Sequence, residues 1–478
     1  MTSKQGVASL VALLFALQIA VRFHSSLGHD MAWYLYVADG LVHGKKLYVD
    51  FVEVNPPLGM WLEIPAVWLA QTTGLSSVYC FYVSIFLMAA ASLAMCWRYT
   101  RNDGEKRRGI FILAAASVLL FLPADTFGQR EHFMVIMVLP WLLLRQQNPD
   151  GIPGSERALV GIVAALGIAL KPYAIFAPLL IEAVLFLQTR NFRRTLALEN
   201  LAAMATIAIY AATVAVIAPQ FYGDIVALGR AAYLPYYGYA LKWIFINTKW
   251  AAVFMGLALF GWRSPRVQIL LAAAVGFVIS YALQGKGFPY HILPATALGV
   301  LACVAAMQEP FASDQHKKLA AAMAGFMALV MLLSEPQTYQ VNDEISARVE
   351  AVRPPDMHSV FIASNRFAHA FPYVVEQNLQ WGSRFPTQWL APYVAEHWKP
   401  GAAVTDPVIS KALNWTIEDF TTLKPDIVAI DNSASQRDLL GGFEFLNFWN
   451  SDPRFVAVWK NYDLVSSTGD ILIYIRKK

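Results

Sequence analysis

The chain has 478 residues, 57% hydrophobic and only 15% charged, where soluble domains carry about 25% charged residues. The deficit lies in long apolar runs broken by short polar clusters, the pattern of a polytopic membrane protein rather than one soluble globule. A net charge of +4 says nothing for nucleic acid, and Cys80, Cys96 and Cys303 lie in or beside apolar runs with neither disulfide nor metal-binding spacing.

The first apolar run, VASLVALLFALQIAVRF, has no small-x-small cleavage site and leads into an acidic loop, so it predicts an uncleaved first helix. Eleven spans follow from the apolar runs: 6–23, 61–97 (one long or bent segment), 109–124, 132–145, 157–170, 173–188, 196–218, 250–262, 266–284, 291–307 and 317–334. Several fall short of the ~20 residues of a straight crossing and must tilt, break or extend into polar flanks. The loops RYTRNDGEKRRG, RQQNPDGIPGSER, QTRNFRR, WRSPR and DQHKK hold most of the clustered Lys and Arg, which places them in the cytoplasm. The N-terminus is then cytoplasmic. Residues 24–60, 123–131, 171–172, 219–249, 285–290 and the C-terminal region lie outside.

Inside the first outer loop, Trp33, Leu35, Tyr36, Val37 and Leu41 predict an amphipathic helix lying along the interface. Pro56 and Pro57 end the loop and start the second span. From Ser334 onward polar residues return. HSVFIAS, DIVAIDN, FVAVWKNYDLV and GDILIYIRK read as strands, with a helix at 388–398. The expected organisation is a polytopic α-helical membrane domain over 1–334 and an extracytoplasmic α/β domain over 335–478, without internal repeats.

Ionisable groups near hydrocarbon mark function or pairing. Asp30, Asp39, Asp50, Glu53, Asp125, Arg130, Glu131, His132, Lys171, Lys286 and His291 all fall on the outer side in this topology. Asp30 is placed to take a proton from a sugar hydroxyl; the competing reading is a helix N-cap. Arg130 offers a bidentate grip on phosphate, while Glu131 beside it would make an interfacial ion pair. Lys286, between two glycines and followed by Phe288, Pro289, Tyr290 and His291, suits close approach to an anion. Lys171 in LKPYAIFAP is a similar case. The aromatic run YLPYYGY within 219–249 suits sugar stacking or an interfacial belt. Acids and scattered cations on one face point to a phosphorylated, lipid-linked substrate.

The order of first span, outer-loop Asp, Y…A…L..G…LY.DF, NPPL and a late KGFPYH..P resembles bacterial glycosyltransferases of the GT-C class. It is similar to the protein O-mannosyltransferase and lipid A aminoarabinose transferase family over most of residues 22–300. The resemblance implies a polyprenyl-phosphate-sugar donor, an envelope acceptor (lipid A or core, polysaccharide or protein), and inverting transfer at the outer face of the bacterial cytoplasmic membrane. It makes Asp30 the catalytic base. Met31 stands where the family often has a second acid, and Asn55 where the lipid A branch often has Lys. Phosphate binding then falls to Arg130, Lys171 or Lys286, with Tyr290 and His291 beside them. Glu53, Asn55, Asp125, Glu131 and His132 are supporting candidates. No metal is required, although Asp30 and Asp125 are compatible with a shared divalent cation. The alternative from another class is a transporter or flippase of lipid-linked sugars.

Overall fold

The computed structural model describes residues 3–147, 151–238, 241–309, 344–433 and 442–478, with scattered positions at 314–315, 318, 322, 325 and 439. It forms two compact units: 1–25, 69–213 and 238–339 in the first, and 26–68, 214–237 and 340–478 in the second.

The first unit is built from the helices Lys4–Arg22, Ser77–Tyr99, Glu105–Leu120, Arg130–Arg145, Gly154–Ala169, Phe176–Thr189, Leu198–Ile217, Leu241–Ala258, Pro265–Gln284 and Leu293–Met307. Seven described helical segments of the chain are long and apolar enough to cross a membrane. The 16-residue helices at 105–120, 130–145 and 154–169 reach about 24 Å each at 1.5 Å per residue, short of the ~30 Å hydrocarbon layer. The expected 61–97 segment is three helices, Leu58–Trp61, Ile64–Thr73 and Ser77–Tyr99, with Gly74 at φ +73° in the second break. The chain does break at Lys171-Pro172: Lys171 is extended, as a residue before proline prefers, and a 3-10 turn Pro172–Ile175 follows. The helix expected at 250–262 begins earlier, at Leu241. The span expected at 317–334 lies almost wholly outside the described residues.

Arg130–Arg145 is the centre of this unit, with every residue buried. Pro140 removes the N–H that would bond the Ile136 carbonyl, and Ser92 Oγ donates to that carbonyl instead, at 2.7 Å. Backbones elsewhere approach too closely for a side chain. A Cβ on Gly276 would meet Ala177 Cα at 2.4 Å, so the helices Pro265–Gln284 and Phe176–Thr189 need glycine there. The far end of Arg130–Arg145 carries a buried ionic network. Arg145 donates to Glu182 (2.8 Å twice), to Glu199 (2.7 Å) and to the Arg194 carbonyl (2.8 Å). Arg157 completes it on Glu199 at 2.7 Å.

The second unit holds a five-stranded sheet of order β2-β1-β3-β5-β4. Its strands are β1 (Ser359–Ala363), β2 (Gln380–Trp381), β3 (Ile427–Asp431), β4 (Tyr462–Thr468) and β5 (Ile471–Arg476). β1 pairs in parallel with β2 and β3, and β5 runs antiparallel to β3 and β4. Three of the expected strands are present. FVAVWKNYDLV is half helix: Asp452 caps Pro453–Trp459 by accepting from the Arg454 N–H at 2.8 Å, and Pro453 takes the first helical position. The helix expected at 388–398 is Ala391–His397. The longer helix Pro407–Thr422, capped by Asp406, buries Ile409, Ala412, Leu413, Ile417 and Phe420 on one face.

His29–Val42 is a helix, but not one lying half in lipid. Met31, Ala32, Trp33, Tyr34, Leu35, Val37, Ala38 and Gly40 are buried around most of its circumference. Phe371 packs edge-on against Trp33 at 5.2 Å, and Tyr36 Oη accepts the Trp381 N–H at 2.9 Å. The aromatics that signal an interface in sequence serve here as packing within the second unit.

Candidate functional site

In the first unit, three breaks in the helical ladder bring polar groups together. The helix Arg130–Arg145 starts after Gln129, so Arg130 and Glu131 occupy its first turn. The extended residue Lys171 links two helices. The loop after Pro265–Gln284 carries Lys286 between Gly285 and Gly287, both at φ +64°, a region closed to most side chains. Asn247 Nδ2 donates to the Gly287 carbonyl at 2.8 Å and fixes this loop.

Lys171 Nζ pairs with Glu131 and reaches Gln284 at 3.4 Å. His291 Nε2 lies 3.6 Å from Glu131. Tyr290 stands edge-on to His291 at 4.5 Å, with Lys171 over its ring at 5.6 Å. Arg130 precedes Glu131 in the same helical turn, and Lys286 lies in the loop that leads to His291. Glu131, Lys171, Gln284 and His291 line a small cavity with Met134, Ser280 and Pro294, room for about one water. Two of the three cations are buried, Arg130 at 7% and Lys171 at 8% exposed. Such a positive cluster at a helix N-terminus is suited to an anion.

His132, although adjacent, belongs elsewhere. Its Nδ1 accepts the Gly128 N–H at 3.0 Å and its Nε2 pairs with the Leu119 carbonyl at 2.7 Å, so both ring nitrogens serve the backbone. Asp125 is exposed in the 3-10 turn Ala124–Thr126.

Asp30, Glu53 and Asn55 belong to the second unit. Gly28 is the N-cap of His29–Val42, so Asp30 is not the cap. It sits in the first turn, where the helix dipole favours a carboxylate. His29 Nε2 is 3.5 Å from its Oδ1, and the side chain is 14% exposed. Glu53 is buried and fully employed in structure: Oε2 accepts from Trp33 Nε1 at 2.9 Å, and Oε1 from the Asn55 N–H at 3.0 Å and Nδ2 at 2.6 Å. Asp50 accepts the Lys46 N–H at 2.7 Å and shapes the loop. The YLPYYGY rings are partly spent on packing: Tyr233 meets Trp389 edge-on at 5.9 Å, and Tyr236 bonds Glu396. Among the described residues no group of three or more His, Cys, Asp or Glu is placed to hold a metal ion.

Sequence reasoning overlooked His29, Gln284 and Asn247. His29 was readable as a titratable neighbour of Asp30. Gln284 and Asn247 lie in apolar helices, with only their polarity as a signal.

No protein-family model matches the chain, and no curated protein sequence does. Solved structures do. The crystal structure of ArnT from Cupriavidus metallidurans bound to undecaprenyl phosphate is 14% identical, with a TM-score of 0.57 over 99% of this chain and 98% of that one. The apo state of the same protein gives 14% and 0.58 over the same shares. The Archaeoglobus fulgidus oligosaccharyltransferase in its apo form is 11% identical, with a TM-score of 0.48 over 90% of this chain and 70% of that one. The likeness to ArnT extends over essentially the whole of both chains and shows a shared fold: a bundle of helices, seven of the described ones apolar and long enough to cross a membrane, with a small C-terminal sheet.

Proposed function

We propose that this chain is a glycosyltransferase that moves a sugar from a polyprenyl-phosphate carrier to a hydroxyl of a cell-envelope acceptor, at the outer face of the bacterial cytoplasmic membrane. The N-terminus is cytoplasmic and the 335–478 region extracytoplasmic. The observation that carries this reading is the meeting of Lys171 and His291 at Glu131 around a small cavity, in a fold shared with a protein crystallised with undecaprenyl phosphate.

The cations hold the donor phosphate. Lys171 is neutralised by Glu131, so an arriving phosphate competes for a lysine already oriented and desolvated. Asp30 takes the acceptor's proton. The acceptor oxygen bonds to the anomeric carbon from the side opposite the phosphate. The carbon–oxygen bond to phosphate breaks, and polyprenyl phosphate leaves with the electron pair, its charge met by Arg130, Lys171 and Lys286. The outcome is inversion. Acceptors of this chemistry are lipid A or its core, a polysaccharide or a protein.

Membranes supplied with a polyprenyl-phosphate sugar and candidate acceptors test this directly. Asp30→Asn should lose transfer by roughly a hundredfold or more, the scale of a general base. Lys286→Met should weaken donor use and is the cleaner cation variant, because removing Lys171 strands the buried Glu131. Undiminished transfer by Asp30→Asn would remove the base assignment. Lipid-linked sugar that crosses the membrane with no new glycosidic bond would make the protein a flippase.

A further inference from the structure

Glu131 is buried, at 1% exposed, and one of its oxygens faces two bases. Oε1 is paired with Lys171 Nζ and lies 3.6 Å from His291 Nε2. The first contact is an ion pair; the second is beyond hydrogen-bond range. Among the described residues, His291 Nδ1 is buried with no hydrogen-bond partner, and so is Glu131 Oε2. The imidazole is held instead by its ring neighbours, Tyr290 edge-on at 4.5 Å and Phe288 edge-on at 5.4 Å. It is a buried base beside a carboxylate, with neither nitrogen committed.

The other charges near the ring are positive. Arg130 precedes Glu131 in its helical turn, and Lys286 lies in the loop that leads to His291. The helices packed on the turn Pro289–Ile292 add little. Leu293–Met307 has no charged side chain and only Cys303 that titrates. Pro265–Gln284 has Tyr281 and Arg266, and Arg266 is paired with Asp103. Leu241–Ala258 has Lys242 and Lys249, both exposed over Trp243 and Trp250.

Charge balance sets what donor binding requires. In the free protein Lys171 and Glu131 neutralise each other. A phosphodiester that takes Lys171 leaves Glu131 as a buried carboxylate without its cation, which is strongly unfavourable. The imidazole next to that oxygen restores the pair by gaining a proton.

We propose that His291 takes up a proton when the donor phosphate draws Lys171 off Glu131, so that a His291–Glu131 pair replaces the Lys171–Glu131 pair. An N–H bond forms on the imidazole, the proton comes from solvent, and no other covalent bond changes. The cavity lined by Glu131, Lys171, Gln284 and His291 has room for about one water to pass that proton. The exchange rests on the reading of Lys171 as a ligand of the donor phosphate. It makes His291 a positioning residue that acts through Glu131.

Calorimetry on the full-length protein in detergent tests it, with undecaprenyl methyl phosphate as the probe. This diester has no ionisation near neutrality and so contributes no proton change of its own. Titrations near about pH 7, above the ordinary imidazole value, in two buffers of different ionisation heat count the protons. Wild type should take up about one proton per lipid bound, and its affinity should fall by up to about tenfold per pH unit as pH rises. His291→Gln should bind more weakly, lose the uptake and flatten the pH dependence, which a merely structural histidine would not do. Thermal unfolding checks that the variant is folded. Should it unfold, Glu131→Gln decides, because a neutral amide leaves no charge for His291 to answer and must also lose the uptake. Lipid bound by wild type without proton uptake, or uptake retained in a folded variant, overturns the exchange and leaves the phosphate site standing. No binding by wild type overturns both.

Discussion

Glu53 is a carboxylate whose position in an acidic outer loop suggests chemistry and whose bonds describe architecture. Its oxygens receive the Trp33 indole N–H and both Asn55 donors, tying the loop to the helix that carries Asp30. Glu53→Ala should therefore destabilise the protein by about 2–4 kcal/mol, leaving buried donors without an acceptor, and thermal melts in detergent would show the drop. Glu53→Gln should cost less, because its amide oxygen still serves one side. An unchanged melting temperature in Glu53→Ala would mean that these bonds contribute little. Asp419 makes a pH argument of the same kind. Burial pushes its carboxyl up to about 6, against the pull of Arg384, whose Nε bonds it at 2.8 Å. A raised folded pKa means the acid form is favoured by folding. Its stabilisation is full below about pH 4, the unfolded value, and is lost as pH rises through 6. The stability of wild type relative to Asp419→Asn should thus fall between pH 4 and 7 by about 2–3 kcal/mol. A difference that stays flat over that range would place the carboxyl at its ordinary value.

Among the elements, the buried helix Arg130–Arg145 depends on partners that compensate its own defects. Ser92→Ala should cost about 1 kcal/mol by orphaning the Ile136 carbonyl beside Pro140. Arg145→Met should cost about 3–5 kcal/mol, because Glu182 loses its paired cation and Glu199 keeps only Arg157. Apolar runs made the existence of most helices readable, since a membrane demands them. Their ends were not. Leu241–Ala258 carries Lys242, Asn247 and Lys249 in its first half, which hides its true start. The His29–Val42 helix was readable as a helix, but its surroundings were not, because an aromatic belt and a packed core ask for the same residues. In FVAVW the alternation matched a strand, while the Asp452-Pro453 start set a helix. The cations Arg130, Lys171 and Lys286 were readable one at a time from their glycine, proline and helix-start settings. That Lys171 and His291 meet at Glu131 required the fold.

At the scale of the molecule, the composition change at Ser334 marks where polar sequence returns, but it does not show which earlier segments pack with it. Residues 26–68 and 214–237 join 340–478 in one unit, and their contacts are specific. Val52 N–H donates to the Arg384 carbonyl at 2.6 Å, Tyr36 receives the Trp381 N–H, and Lys411 pairs with Asp224 at 3.0 Å. Phe371 has Trp33 and Tyr36 as neighbours. A fragment of residues 340–478 alone would expose that aromatic surface and leave the Trp381 N–H without its acceptor. It should keep much of its secondary structure while losing fixed packing, and so bind a hydrophobic dye and lack a near-ultraviolet circular dichroism signal. The full chain, with the same sheet covered by His29–Val42, should show both fixed packing and a cooperative melt. A fragment that is monomeric, rigid and cooperative would mean that the sheet domain is complete in itself and that the two earlier segments are only laid upon it. Their role would then lie in holding Asp30 rather than in completing the fold.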